Sequence, residues 1–241
     1  MQVNLAVPEV ALAIGAHPDD VEFGCGATLA KWAAEGCVVH HLVCTDGSKG
    51  SWDPAVDTAR LVVERQAEQQ AAARALGAGG ECVFLGWVDG ELESGLRQRW
   101  EVAYWIRRLR PQVVLGHDPW KRWRLHPDHR HAGLLAVEGV VAARDPHFFP
   151  EQQLPHHRPV AMLLWEADEV DHVEDVSGHE DTKVAALLEH RSQYRSTHQI
   201  DDAGDQAQVD AFRHRVHGRL GEMGALGDVV AGEAFKHIDR V

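Results

Sequence analysis

An α/β fold is predicted, a Rossmann-like and mostly parallel β-sheet flanked by helices, in a single domain over residues 1–241. Three observations predict it. Short apolar runs alternate with longer amphipathic ones, the strand–helix rhythm of parallel strands joined by right-handed crossovers. The strands read as buried. The chain of 241 residues, 44% hydrophobic and 25% charged, has an ordinary globular composition. One domain of that size buries roughly 70–75% of its unfolded surface, so its core needs no disulfide or metal support.

The first strand is "VALAIGA" at 10–16, and Ala27 to Glu35 follows as a helix. "VVHHLVCT" at 38–45 is the second strand. Thr58 to Leu76, rich in Ala, Gln, Glu and Arg, has the composition of a long helix that ends at Gly77 as a C-cap. "CVFLG" at 82–86, Leu96 to Leu109, and "VVLG" at 113–116 continue as strand, helix and strand. His129 to Ala143 reads as helix, "VAMLLWEA" at 160–167 as a fifth strand, and Asp181 to Arg191 as a late helix. The proline-rich stretch at 145–159 is a loop, either beside a pocket or passive on the surface. From Ser196 onward the chain is polar and helix-biased, an appendage to the same domain.

A formal net charge of −13 argues against nucleic-acid or anionic-membrane partners, which need clustered Lys and Arg. The four cysteines have no CxxC spacing, which suits a reduced, cytoplasmic protein. The N-terminus lacks a basic region and Glu9 interrupts its apolar stretch, so no signal peptide is expected. No window reaches the ~18 apolar residues of a membrane helix. Histidine is over-represented, with 17 copies, of which His40-His41, His156-His157, His214 and His217 have no evident partners.

In open parallel sheets, ligands bind beyond the carboxyl ends of the strands. The residues directly after the predicted strands are His17, Asp19 and Asp20; then Asp46 and Gly47; then Asp89; then His117 and Asp118, with "HPDH" at 126–129 close behind. In "HPDD" at 17–20, a histidine on a stiff strand end and Asp20 three residues later can turn toward one point. Two donors from one turn and a third from elsewhere make the open three-ligand set of a catalytic zinc. In "HPDH", Pro127 suits the first helical position. His126 and His129 then share a side, one able to bind metal and the other to address substrate. Asp19 and Asp128 are left over, suited to general-base work or to fixing a histidine tautomer.

The motifs together resemble the PIG-L or LmbE-like metal-dependent de-N-acetylases. "AHPDDVEFGCGATLAKWAAEG" and "LHPDHRHAG" carry the resemblance, supported by "LVCTDGSKG", "ERQAEQQAAARALG", "FLGWVDGEL" and "DTKVAALLEHRSQY" in the family's order. The resemblance implies His17, Asp20 and His129 as zinc ligands, with Fe(II), Co(II) or Mn(II) as alternatives. It also implies Asp19 as general base, His126 as the oxyanion-stabilising histidine and Asp128 as its orienting carboxylate. Arg65 and Asp89 would hold substrate, with Asp46 and Arg124 further rim candidates; Arg124 stands where some sugar deacetylases have tyrosine. The implied partner is a small N-acylated amino sugar or conjugate, and relatives often form homo-oligomers.

Two other classes compete. Gly24-Cys25-Gly26 invites a nucleotide or S-adenosylmethionine loop, but His17 to Phe23 separate it from the strand and no third glycine follows. A His₂-carboxylate iron oxygenase is the other, although that set is usual in all-β barrels with HxD spacing. A non-catalytic binder on the same fold is the blandest possibility.

Overall fold

The computed structural model describes residues 1–241. The chain runs β1 (Gln2–Val3), β2 (Val10–Gly15), α1 (Asp20–Ala34), β3 (Val38–Thr45), α2 (Thr58–Ala75), β4 (Cys82–Trp87), α3 (Leu96–Leu109) and β5 (Val113–His117). It continues through α4 (Pro127–Arg144), β6 (Ala161–Trp165), β7 (His172–Asp175), α5 (Glu180–Leu187), α6 (Gln206–Gly224) and β8 (Gly232–Ile238). One sheet takes all eight strands in the order β1-β7-β8-β6-β5-β2-β3-β4. Every pairing is parallel except those of β8 with β6 and β7.

The two-residue period of a strand divides the core. Leu12 and Ile14 of β2 face a cluster with Val102 and Ile106 of α3 and Leu135 and Ala136 of α4. Ala11 and Ala13 face the other layer, with Leu29 and Trp32 of α1 and Ala72 of α2. A third cluster joins Val184 and Leu187 of α5 to Phe212, Val216 and Leu220 of α6. The chain leaves β2 toward β3 on one side and returns to β5 on the other, so the strand order reverses between β2 and β5. Their carboxyl ends diverge there into the crevice where such sheets bind ligands.

Three expectations need correction, and one open alternative is decided. Helix α1 begins at Asp20, not Ala27, and is broken at Cys25, whose φ of −150° is non-helical. The break has a cause: the Glu233 carboxylate accepts from the amides of Ala27 and Thr28, capping the second half as a separate helix start. Helix α5 stops at Leu187; a 3₁₀ turn and a π-helical turn then carry the chain to His198. The C-terminal segment is no appendage, because β8 is inserted inside the sheet between β6 and β7. The loop at 145–159 lies at the opposite end from the carboxyl rim, where α4 ends and a buried Arg107 gathers it.

His40 and His41 also have neighbours: His40 Nδ1 accepts the Glu81 amide at 2.7 Å, and buried His41 lies 3.7 Å from Glu22. No helix is long and apolar enough to cross a membrane.

Candidate active site

The rim over β2 and β5 opens into a cavity of about 610 Å³. Seven of the ten residues singled out from sequence line it: His17, Asp19, Asp20, Arg65, Asp89, His126 and His129. Asp46, Arg124 and Asp128 do not. Asp46 is turned into its own loop, where Oδ1 accepts the amides of Ser48 and Asp89. Arg124 lies behind the rim, with Nη1 2.9 Å from Glu166 and 3.1 Å from His117 Nδ1. A short acid in a turn and a long cation beside nearby acceptors satisfy local partners first.

The "HPDD" turn wraps tightly. His17 donates its amide to Asp20 Oδ2 at 2.7 Å, and its Nδ1 lies 3.3 Å from the same oxygen. His129, one turn into α4, brings Nε2 to 3.3 Å from Asp20 Oδ1. Donor atoms of His17, Asp20 and His129 all lie within 4.8 Å of one another. Pro127 starts α4, and His126 caps it by accepting the Asp128 amide on Nδ1 at 3.3 Å. A neutral His126 therefore carries its proton on Nε2.

The Asp128 carboxylate lies within 4.8 Å of a His126 ring nitrogen, but its hydrogen bonds go elsewhere. That group sits 3.1 Å from His17 Nε2 and accepts the amides of Gly90 and Leu92. Asp89 Oδ1 joins it at 3.2 Å from His17 Nε2. Two carboxylates hold the proton on Nε2, the usual second contact of a ligating histidine, while Nδ1 is the atom turned toward Asp20.

Sequence reasoning left His117 without a role, although it closes β5 on the rim. Its Nδ1 accepts Trp165 Nε1–H at 2.9 Å, so Nε2 bears the proton and meets Asp20 Oδ2 at 3.3 Å. Trp165 in turn lies against Gly24, where an added Cβ would stand 2.5 Å from the indole. The glycines are therefore inside α1, and Gly24 makes room for the ring that orients His117.

These contacts set the charges. Burial opposes ionisation of Asp20, but His129 and His117 outweigh it and hold the carboxyl well below its ordinary range. Burial dominates at His129 and pushes it down to about 4 despite Asp20. His17 is raised well above the usual imidazole value because Asp128, Asp20 and Asp89 overcome its burial. Asp19 goes the other way: burial lifts it to about 6, and Arg65 only partly offsets this. Its backbone is left-handed, φ 97°, a conformation costing roughly 1–3 kcal/mol in a residue with a side chain.

Comparison with known proteins places the chain among deacetylases. A family model described as PIG-L, GlcNAc-PI de-N-acetylase, matches residues 12–140. The diacetylchitobiose deacetylase of Thermococcus kodakarensis is 35% identical over 186 residues, 76% of this chain and 69% of its own length. The 1D-myo-inositol 2-acetamido-2-deoxy-alpha-D-glucopyranoside deacetylase of Streptomyces avermitilis is 32% identical over 64% of this chain and 60% of its own. Among solved structures, N,N'-diacetylchitobiose deacetylase from Pyrococcus horikoshii, in complex with an inhibitor, is similar with a TM-score of 0.85 and 26% identity. That likeness covers 96% of this chain and 84% of the other.

Proposed function

Because the chain belongs to the PIG-L family of GlcNAc-PI de-N-acetylases, we propose that it hydrolyses an N-acetyl amide. The substrate is a small amino sugar or amino-sugar conjugate, and the products are acetate and the free amine. The observation that carries this reading is a buried carboxylate, Asp19, on the wall of the same cavity as the converging donors of His17, Asp20 and His129. Diacetylchitobiose and the inositol-linked N-acetylglucosamine of the relatives' names mark the substrate class.

The donor set suits a divalent metal, zinc first and Fe(II), Co(II) or Mn(II) next. Asp20 is held ionised and His129 neutral, the forms in which both can ligate. A bound metal supplies a Lewis acid, polarising the acyl carbonyl and lowering the pKa of water toward ~7. Asp19, raised to about 6, is ionised at neutral pH yet more basic than an ordinary carboxylate. It takes the proton of the attacking water and delivers it to the departing nitrogen, so that the amine leaves neutral. His126 faces the cavity with its Nε2–H and donates to the oxyanion, a contact of the kind worth roughly 3–4 kcal/mol. Asp128 and Asp89 hold His17, and Asp89 also faces the cavity where it can meet substrate.

The test is acetate release from a panel of N-acetylated amino sugars and conjugates, with and without added zinc. Asp19→Ala is expected to keep its metal and lose on the order of 10²–10⁴ in turnover, whereas His17→Ala loses the metal itself. Wild-type turnover by Asp19→Ala would remove the assigned base.

A further inference from the structure

Behind the cavity lies a chain of buried polar groups that the hydrolysis does not use. It begins at the peptide joining Pro18 to Asp19, which is held at both ends. The Pro18 carbonyl accepts from Arg65 Nη2 at 2.6 Å, and the Asp19 amide donates to Gln69 Oε1 at 2.9 Å. Arg65 and Gln69 stand one turn apart on α2, so one face of one helix grips a single peptide group.

Gln69 is fully buried, and either end of its amide fits the same space. Its orientation is set from both sides, by the Asp19 amide and by Glu22. That carboxylate, also fully buried, accepts from Gln69 Nε2 at 2.7 Å. The Asp19 amide can only donate, so the Gln69 oxygen must face it, and the amide nitrogen then faces the Glu22 carboxylate, which accepts. The other Glu22 oxygen lies 3.3 Å from His190 Nε2, in the segment that follows α5. Neither Glu22 nor Gln69 nor His190 lines the cavity.

We propose that Gln69, locked by Glu22 and His190, is a positioning residue that holds Asp19 in its left-handed conformation and so aims its carboxylate into the cavity. The inference rests on Asp19 as the base of the reading above. It explains why a motif near the N-terminus, a face of α2 and a histidine 168 residues beyond Glu22 belong to one device. Gln69 is the acceptor on the Asp19 amide, and it works with Arg65 on the Pro18 carbonyl and the Phe23 amide on the Asp19 carbonyl; losing it weakens the hold against rotation to negative φ, where a residue with a side chain is more stable.

The test combines three variants with two readouts. Gln69→Leu keeps the volume and removes both bonds. Glu22→Gln keeps the shape but no longer helps to dictate the direction of the Gln69 amide. The double variant Glu22→Leu/Gln69→Leu removes the polar pair together, which restores packing without restoring the acceptor for Asp19. Gln69→Leu and the double variant are expected to lose at least tenfold in kcat, with KM and metal content unchanged, and Glu22→Gln to lose less. In crystals of the leucine variants, Asp19 is expected at negative φ. Asp19 remaining at positive φ, with kcat within twofold of wild type, would overturn the proposal. Should the wild type release no acetate from any amide, the deacetylase reading falls, and the Asp19 backbone in the variant crystals still decides the clamp.

Discussion

Two arginines of equal burial, Arg65 and Arg107, both 3% exposed, sit at opposite ends of the sheet and lead opposite lives. Arg107, beyond the amino ends of the strands, donates to the carbonyls of Ala142, Ala143, Asp145, Phe148 and Phe149 and to Gln152 Oε1. It ends α4 and shapes the loop after it. Arg65, at the carboxyl rim, bonds the carbonyls of Gly47 and Pro18, leaves its Nε without a partner, and faces Asp19 at 3.6 Å. A buried cation that satisfies every neighbour is holding the fold. One left under-satisfied beside a carboxylate of raised pKa is holding a site.

The comparison breaks most visibly by deleting each guanidinium. Arg107→Met leaves several buried carbonyls without donors, a loss expected near 3 kcal/mol and a fall in Tm of about 6–12 °C. Its kcat, measured below the transition, should stay within twofold of wild type. Arg65→Met should do the reverse, cutting kcat on the order of 10–100-fold through misplacement of Asp19 with the smaller loss in Tm. If the two variants exchange these signatures, the division of labour between the ends is wrong.

A second contrast sharpens the rim itself. Gly24 and Gly26 flank the break in α1, but only Gly24 is crowded. An alanine Cβ there would meet the Trp165 ring at 2.5 Å, against 3.4 Å to the Lys183 side chain at Gly26. Gly24→Ala should therefore cost about 1–3 kcal/mol by overpacking, and should lower kcat by disturbing the Trp165–His117–Asp20 chain. Gly26→Ala should stay within about 0.5 kcal/mol of wild type. Denaturant melts of the pair decide it; equal losses would mean that the whole break, rather than the tryptophan contact, demands glycine.

Much of this was legible in the sequence, and the failures share a cause. Strands β2 to β6 and the "HPDD" and "HPDH" turns could be read because each is local: an apolar run, then polar residues at fixed spacing on its end. His117 was visible as a rim residue, but not its hold on Asp20, which depends on Trp165, 48 residues away. The place of Asp128 on His17 was equally hidden, since the two are 111 residues apart. Strand β8 was missed because its insertion between β6 and β7 is a matter of tertiary order, and Glu233 within it breaks α1 some 200 residues earlier. Asp46 and Arg124 had the right position but the wrong direction, because spacing fixes where a side chain starts and not which neighbour it reaches first.

His198 offers the finest test of whether an unsatisfied group at this end costs stability. It closes the π-helical turn, fully buried, with ring centroids 5.7 Å from Phe23, 5.4 Å from Tyr194 and 4.5 Å from Phe212. Neither ring nitrogen has a hydrogen-bond partner, and burial, helped by His190 and Arg215, pushes the pKa down to about 3. The folded state thus keeps His198 neutral while the unfolded chain protonates it near 6.5. The unfolded state binds the extra proton, so this contribution is complete above pH 6.5 and is lost as the pH falls toward 3. The slope for one such group is about 1.4 kcal/mol per pH unit. His117 and His190 are raised and shift with pH in the opposite sense, so the wild type alone does not isolate the effect. The difference between wild type and His198→Phe does, because phenylalanine keeps the aromatic cage and cannot take a proton. Urea melts at pH 6.5 and pH 5 should show the wild type losing roughly 2 kcal/mol more than the variant. Parallel losses would mean that His198 is solvated when protonated and that its burial is not what holds the turn.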